Sequence, residues 1–115
     1  MFKWSSYGRV KYKDDVFEQD IVVMPDERVE MRKPVGDSNS LGLSETERIL
    51  AAAPETEIVV IGTGEHDSLQ VASESRALME NRGLRLFVFP TPQALSKYNE
   101  VYFTKKTLAL IHVTG

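Results

Sequence analysis

The chain of 115 residues is 42% apolar and 27% charged and carries a formal net charge of −3, a composition typical of one globular domain without the basic surface that nucleic acids or anionic membranes require. Cysteine is absent, which excludes disulfides, thiol catalysis and cysteine metal sites. No apolar run approaches the roughly 20 residues of a membrane span, and the first residues lack the apolar core of a signal peptide, so we expect a soluble cytoplasmic protein.

Residues 1–33 have the pattern of short β-strands, and we predict an antiparallel meander there. In residues 7–12, Val10 and Tyr12 alternate with charged side chains, which is the period of a half-buried strand. Two further strands are predicted at 20–24 and 28–32, each preceded by a turn signal. The stretch 33–43, rich in Gly, Ser and Asn, is predicted to be a loop.

From residue 44 onward the apolar period changes and predicts alternating helices and strands. Ser44 and Glu47 resemble a capping box that begins a helix over 45–53. A second helix is predicted within 67–83, with Asp67 or Ser68 as its N-cap and Gly83 as its C-terminal cap. The remaining elements are strands at 57–62, 84–89 and 107–113 and a helix with Thr91 as N-cap and Pro92 at its first position.

We therefore predict a single α/β domain over residues 1–115, with a β-meander at 1–33 and an αβαβαβ core at 44–115. Such alternation predicts a three-layer fold with a mixed, mostly parallel central sheet flanked by helices. Ligands of sheets of this kind bind beyond the carboxyl ends of the strands. The segments expected to meet at that edge are 62–67, 90–91 and 112–115.

The Gly62-Thr63-Gly64 sequence follows the most apolar strand. Backbone N–H groups of such a loop can hold an anion, but the dinucleotide fingerprint has a third glycine where this chain has Asp67, and the Walker pattern is missing too. Glu65 and Asp67 would also repel a phosphate. Two interpretations stay open: a tight turn that needs positive φ, or a loop whose backbone contacts a ligand.

The histidines and serines show no local catalytic arrangement. His66, Asp67 and Ser68 are consecutive, and consecutive residues do not converge as the members of a triad do. His112 is expected on a strand face shared with two leucines, which favours a hydrogen-bonded core histidine over a crevice residue. The two histidines match no metal-ligand spacing, and no metal or cofactor is predicted.

Four segments in a fixed order resemble a known family of small domains of unknown function. They are YGRVKYKDDVFEQDIVV with Gly8 and Asp20, IVVIGTG, TPQALSKYN with Thr91, Ala94, Tyr98 and Asn99, and LALIHVTG with His112 and Thr114. The family includes the adipogenesis-associated domain proteins, a mitochondrial complex I assembly factor, and bacterial and archaeal members. The resemblance implies a three-layer fold and a pocket beside the Gly-x-Gly loop, but no established reaction. Gly115 stands where relatives often have cysteine, and residues 28–42 lack a histidine that relatives often carry.

We predict a non-catalytic binding or assembly module, because no nucleophile has a visible activating base and because some relatives act through protein partners. The first alternative is an enzyme or sensor for a small anion or metabolite. Its pocket residues would be Gly62, Thr63, Gly64, His66, Thr91 and His112. The second alternative is a homo-oligomer that uses an exposed strand of the meander. Neither nucleic acid nor a membrane is an expected partner.

Overall fold

The computed structural model describes residues 1–115 and contains ten strands and three helices. The strands are β1 (Phe2–Ser6), β2 (Arg9–Tyr12), β3 (Asp15–Phe17), β4 (Ile21–Val23), β5 (Val29–Met31), β6 (Ser40–Leu41), β7 (Ile58–Gly62), β8 (Gln70–Val71), β9 (Arg85–Phe89) and β10 (Thr107–Ile111). The helices are α1 (Leu43–Ala52), α2 (Ser73–Asn81) and α3 (Thr91–Val101). None of the helices is long and apolar enough to cross a membrane.

A five-stranded sheet in the order β5-β4-β10-β7-β9 forms the centre of the molecule. The strands β10, β7 and β9 run parallel to one another, whereas β4 pairs antiparallel with β10 and β5 antiparallel with β4. Every residue of β7 and β10 is buried, as expected for strands that are covered on both faces. The predicted mixed sheet flanked by helices is confirmed.

The N-terminal antiparallel meander is also confirmed, but it contains different strands from those expected. It consists of β1, β2 and β3, and the predicted strand at 7–12 is interrupted because Tyr7 and Gly8 form the turn between β1 and β2. The predicted strands at 20–24 and 28–32 are β4 and β5 of the central sheet instead. All three residues of β4 are buried, and a strand buried on both faces does not suit a meander with one solvent face.

The third helix lies between the meander and one face of the sheet. Tyr98 of α3 is 1% exposed and its hydroxyl lies 3.1 Å from that of Tyr12 in β2. Asn99 accepts a hydrogen bond from Phe2 N and donates one to Phe2 O, both at 2.8 Å. The family-motif residues of α3 therefore fix the meander to the helix. The helices α1 and α2 cover the opposite face through Leu50 and Met79.

The first helix begins earlier than the sequence indicates, and the predicted capping box is wrong. Gly42 is the N-cap, no side chain caps the helix, and Ser44 lies inside the first turn. Thr46 Oγ1 donates to Gly42 O at 2.8 Å. The side chain of Glu45 is buried and paired with an arginine, described below, and this buried contact sets the position of the helix start.

The second helix begins later than predicted, at Ser73, and neither Asp67 nor Ser68 caps it. The residues before it pair with β6 as the short parallel strand β8, so the sheet hydrogen bonds replace helical ones there. Gly83 follows the helix with φ +76°, as predicted for a left-handed C-terminal position. The third helix includes Thr91 as its first residue rather than as its cap.

Candidate functional site

The carboxyl ends of β7, β9 and β10 lie at one edge of the sheet, and hydrogen bonds join the segments that follow them. Gly64 N donates to Thr91 Oγ1 at 2.9 Å, and Thr91 Oγ1 donates to His112 O at 2.7 Å. Thr63 N donates to Phe89 O at 2.9 Å. Thr91 does not cap its own helix because its hydroxyl is engaged in these contacts between segments.

The two glycines of the loop are required for different reasons. Gly62 does not have positive φ, but a Cβ there would lie 2.9 Å from Thr91 Oγ1 and 3.3 Å from Ala94 Cβ. It therefore permits the close approach of α3. Gly64 has φ +105°, and a Cβ there would lie 2.5 Å from Thr114 O. The positive-φ explanation is correct for Gly64 and wrong for Gly62.

Residues 66–68 form a small donor site in the same loop. The backbone N–H groups of His66 and Ser68 both donate to the main-chain oxygen of Gly115, at 2.8 and 3.1 Å. We call this pair of donors the N–H pocket. The imidazole of His66 is exposed and its ring centroid lies 6.0 Å from that of Tyr7, so His66 contributes to the pocket with its backbone.

The segment after β10 is held in place by its backbone. Val113 N donates to Asp20 Oδ1 at 2.9 Å, and Gly8 N donates to Val113 O at 2.6 Å. Gly8 adopts φ +83° in the turn between β1 and β2. These contacts give structural roles to Gly8 and Asp20, two of the family-motif positions.

His112 is 2% exposed and only one of its ring nitrogens has a partner. Nδ1 lies 2.7 Å from Asp20 Oδ2, and Nε2 is buried without a hydrogen bond. With the proton on Nδ1, where it bonds the carboxylate, Nε2 presents a free lone pair. The expectation of a core histidine is correct as to burial, but its hydrogen bonding is incomplete.

The environment of Asp20 favours its ionised form. Burial alone would raise the pKa of Asp20, but hydrogen bonds from His112, Val113 N and Arg32 outweigh burial and lower it. An ionised carboxylate accepts from Nδ1–H of His112 and so holds the proton away from Nε2.

Arg32 anchors this carboxylate to the rest of the fold. Its side chain is 0% exposed, and all five of its N–H donors are used. Nε and Nη2 pair with the two oxygens of Glu45 at 2.8 and 3.0 Å, Nη1 donates to Asp20 Oδ2 at 2.9 Å, and Ser38 O and Ser40 O accept the rest. Burial lowers the pKa of Arg32, but the bonds to Glu45 and Asp20 outweigh it and raise that pKa.

No local pattern in the sequence marks Arg32 or Glu45 as part of the site. Arg32 continues the alternation of charges begun by Arg28 and Glu30, which resembles a solvent-facing row, and Glu45 resembles a first-turn acid. The only signal was indirect: Asp20 lies immediately before a strand that is buried throughout.

Ser68 and His112 face the same small volume. A Cβ placed on Gly115 would lie 1.9 Å from Ser68 Oγ and 3.6 Å from His112 Nε2. Ser68 Oγ makes one long hydrogen bond, 3.4 Å to Asn39 Oδ1. Glu65 Oε1 in the same loop is buried without a partner. No group of three or more His, Asp or Glu side chains is placed to hold a metal ion.

Comparisons with known proteins identify relatives over nearly the whole chain. The family model described as "Protein of unknown function (DUF498/DUF598)" matches residues 4–112. The conserved hypothetical protein PH1505 from Pyrococcus horikoshii OT3 is 31% identical with a TM-score of 0.89, covering 100% of this chain and 99% of that one. The protein MT938 is 30% identical with a TM-score of 0.80, covering 100% and 98%.

A more distant structure shares the fold alone. Xanthomonas campestris XCC1710 is 20% identical with a TM-score of 0.78, covering 100% of this chain and 85% of that one. No curated protein is significantly similar in sequence.

Proposed function

We propose that this chain, which belongs to the DUF498/DUF598 family of proteins of unknown function, is a binding module. Its binding site, the N–H pocket, would hold the carbonyl oxygen of an uncharged acyl compound. One observation carries the proposal: two backbone donors converge on a single oxygen beside a buried histidine nitrogen that has no partner. The proposal keeps the non-catalytic role predicted from the sequence and places it at the sheet edge where the crevice was predicted.

The N–H pocket can hold a single sp² oxygen, because the main-chain oxygen of Gly115 already occupies it. Gly115 O accepts from both donors at ordinary hydrogen-bond distances, 2.8 and 3.1 Å. Thr114 is exposed and Gly115 is half-buried, so a ligand that replaces this oxygen displaces little buried apolar surface. A backbone N–H left without an acceptor in such a place is costly, which favours a carbonyl ligand there.

The charges around the pocket favour an uncharged ligand over an anion. Glu65 and Asp67 flank the donors in sequence, and Glu65 Oε1 is buried without a partner. Asp20, behind His112, shares the Arg32 cation with Glu45. The carboxylates of Glu65 and Asp67 raise the cost of bringing a further negative charge to the N–H pocket. The small-anion alternative is disfavoured on this ground.

Only some of the pocket residues predicted from the sequence would contact the ligand. The polar groups of the others bond to one another and to neighbouring backbone, so these residues form the wall behind the pocket: Gly62, Thr63, Gly64 and Thr91. The ligand contacts are His66 N, Ser68 N and the ring of His112.

Matched ligands of equal shape test the proposal. We expect butyramide to shift the backbone amide resonances of His66 and Ser68 in a saturable way in a ¹H–¹⁵N correlation titration. Butyrate at the same concentration and ionic strength should shift them much less. The resonance of Gln70, whose N–H donates to Asn39 O, is the internal control. Equal or stronger effects of butyrate, or no effect at His66 and Ser68, would contradict the proposal.

A second candidate function, self-association, is favoured by the outer face of the meander. Trp4, Lys11 and Val16 lie side by side across the three strands, with Trp4 40% and Val16 41% exposed. The far edge of β3 has no neighbouring strand, and an unpaired edge beside exposed apolar side chains is a site for pairing with another chain. A second copy is the partner we propose there.

Light scattering at several protein concentrations tests the second candidate. We expect a dimer in the wild type that is weakened in Val16→Lys, because a charge on an edge strand opposes pairing. A monomer at every concentration would reject self-association. Assembly with a different protein, which the family resemblance implies, would then have to use another surface. Testing it would require adding that partner protein to the assay.

A further inference from the structure

We propose that the outer edge of β9 binds an extended, acidic segment of another protein as an additional antiparallel strand of the central sheet. This surface is separate from the N–H pocket, and the proposal does not depend on that pocket. β9 is the last strand in the order of the sheet, so one of its sides pairs with β7 and the other has no neighbouring strand. An extended partner can bond to the backbone of such an edge, which is the binding mode called β-augmentation.

The hydrogen bonds at the two ends of β9 show which of its backbone groups face outward. Arg85 N donates to the residue just before β7 at 3.1 Å, and Phe89 O accepts from the residue just after β7 at 2.9 Å. Along a strand, residues that bond to one side alternate with residues that face the other side. The N–H and C=O groups of Leu86 and Val88 therefore point away from β7. They leave two donors and two acceptors for a partner strand.

The side chains of β9 do not protect this edge, in contrast to those of β5 at the opposite edge of the sheet. After Arg85, every residue of β9 is apolar and half-buried. β5 has an exposed Glu30 at its centre, paired with Arg28 at 3.0 Å. Charged side chains are a common protection of edge strands, and an apolar edge without them is a site for pairing with another chain. Of the two edges, that of β9 is therefore suited to a partner.

The two faces of this edge specify the side chains of the partner. Phe87 and Phe89 pack on the α3 side of the sheet, whereas Leu86 and Val88 pack on the side of α1 and α2. In an antiparallel pair, the residues that exchange hydrogen bonds with Leu86 and Val88 have their side chains on the same face as these two. Branched apolar residues suit those positions, and an aromatic residue suits the position opposite Phe87.

Cations at the amino end of β9 make the surface complementary to an acidic segment. Arg82, Arg85 and Lys105 line a depression of about 300 Å³ there, and none of the three takes part in an ion pair of the chain. Glu57 is the one carboxylate in the lining, and it accepts a hydrogen bond from Lys106 N at 3.1 Å. An acidic residue opposite Arg85 would form a favourable pair across the two strands.

The basic side chains also disfavour a second copy of this chain as the occupant. Antiparallel pairing of two β9 strands about Phe87 would place the two Phe87 rings opposite each other. Lys97 Nζ lies 4.9 Å from the centre of this ring, so the two copies would bring their Lys97 ammonium groups together. The exposed pair of Lys97 with Glu100 offsets little of that repulsion. An acidic segment meets the same cations with the opposite charge.

A synthetic peptide tests the proposal. The probe is acetyl-TVYVEE-amide, whose two valines would pair with Val88 and Leu86, its tyrosine with Phe87 and its first glutamate with Arg85. We expect it to shift the amide resonances of Leu86 and Val88 in a saturable way in a ¹H–¹⁵N correlation titration and to slow the hydrogen exchange of both amides. The resonances of β5, at the opposite edge, should stay unchanged. No shift at Leu86 and Val88 would overturn the proposal.

Two N-methylated forms of the peptide separate strand addition from adhesion of apolar side chains. Methyl groups on both valine nitrogens remove the N–H donors to Leu86 O and Val88 O, so this form should no longer shift the two resonances. Methyl groups on the nitrogens of the tyrosine and the first glutamate face away from β9, so this form should still bind. Equal binding of the two methylated forms would show that no strand is added and would overturn the proposal.

A change of charge tests whether the partner is acidic. The peptide acetyl-TVYVKK-amide has the same apolar residues and should bind more weakly at the same ionic strength. Arg85→Gln should weaken binding of the acidic peptide about 1.5- to 5-fold. Arg48→Gln, which changes another exposed arginine outside the ion pairs, should leave it unchanged. Equal binding of the acidic and basic peptides, or an unchanged affinity in Arg85→Gln, would overturn the acidic partner.

Hydrogen exchange in the protein without peptide distinguishes a second copy from a different partner. We expect the amides of Leu86 and Val88 to exchange rapidly at every protein concentration. If these amides became protected in concentrated protein, together with a dimer that persists in Val16→Lys, the edge would belong to a second copy and the proposal would be overturned. The amides of His66 and Ser68 report on butyramide separately, so failure at β9 leaves the N–H pocket proposal in place.

Discussion

Two adjacent parts of the loop after β7 behave very differently. In residues 62–64 the glycines lie against α3 and the chain after β10, and the N–H groups of Thr63 and Gly64 bond to Phe89 O and Thr91 Oγ1. In residues 66–68 two N–H groups hold a single main-chain oxygen, that of the half-buried Gly115. The glycine motif is therefore a packing device. It lets the chain pass close to α3 as it leaves the sheet, just before the donors of residues 66–68.

The same contrast separates the side chains around the loop. Arg32 and Glu45 form a completely bonded pair and serve stability, whereas His112 Nε2 and Ser68 Oγ have bonding capacity left over. Variants of the first kind should cost folding free energy, and variants of the second kind should leave it nearly intact.

The largest effect is expected from Arg32→Met. Removing the guanidinium leaves Glu45 and Asp20 as buried carboxylates without their cation, which should cost about 3–5 kcal/mol of unfolding free energy in urea titrations. Arg28→Met is the matched control, since Arg28 pairs with Asp26 and Glu30 on an exposed surface and such pairs contribute about 0–1 kcal/mol. If Arg32→Met lowered the unfolding free energy by less than about 1 kcal/mol, the network of Arg32, Glu45 and Asp20 would contribute little to stability.

Gly64→Ala should have the next largest effect. The positive φ and the contact of the new Cβ with Thr114 O act together, and backbone strain alone costs about 1–3 kcal/mol. Gly83→Ala isolates the strain, because Gly83 has φ +76° with nothing within 4 Å of its Cβ position. We expect Gly64→Ala to be clearly the more destabilising of the two by urea titration, and equal costs would refute a packing role for Gly64.

Thr91→Val should have the third largest effect. It leaves a buried N–H and a buried carbonyl without their hydroxyl partner, which should lower the unfolding free energy by about 1–3 kcal/mol. The groups affected are Gly64 N and His112 O. Ser68→Ala in the other part of the loop should change the unfolding free energy by no more than about 0.5 kcal/mol. If the two variants were equally destabilising, the division of the loop into residues 62–64, which pack, and residues 66–68, which donate to Gly115 O, would be wrong.

The smallest predicted effect concerns acid. Because the pKa of Asp20 is lower in the folded protein than its ordinary value of 3.8, its ionised form stabilises the fold above that pH, and this contribution is lost as pH falls through the folded-state pKa. Urea midpoints should therefore differ between wild type and Asp20→Asn at pH 7, and the difference should shrink as pH falls below 3.8. A difference that is independent of pH would show that the carboxylate charge contributes nothing.

Much of the fold could be predicted from the sequence because the relevant signals are local. The continuous apolar runs of β7 and β10 and the 3.6-residue period of α3 do not depend on distant partners. The starts of α1 and α2 could not be predicted this way. Glu45 is recruited by Arg32 across the loop between them, and β8 forms only because β6 is available to pair with it.

The candidate site was predictable only in its location. The carboxyl edge of the sheet and the strand-ending glycines were visible in the sequence, and the segments predicted to meet there are joined by hydrogen bonds. The pairing of Asp20 with His112 joins residues at opposite ends of the chain. Ser68 resembled a helix cap, but its helix begins four residues later than a cap at Ser68 would place it. Residues that are distant in sequence meet at this edge of the sheet, and their meeting produces no local pattern in the sequence.

The central claim is that His112 presents an unpartnered Nε2 to the N–H pocket while Asp20 holds the proton on Nδ1. The tautomer of His112 in ¹⁵N-labelled protein, measured by long-range ¹H–¹⁵N correlation at a pH where the ring is neutral, tests that claim most directly. We predict a protonated Nδ1 and a bare Nε2, together with loss of this tautomer preference in Asp20→Asn. A proton on Nε2 in the wild type would contradict the account.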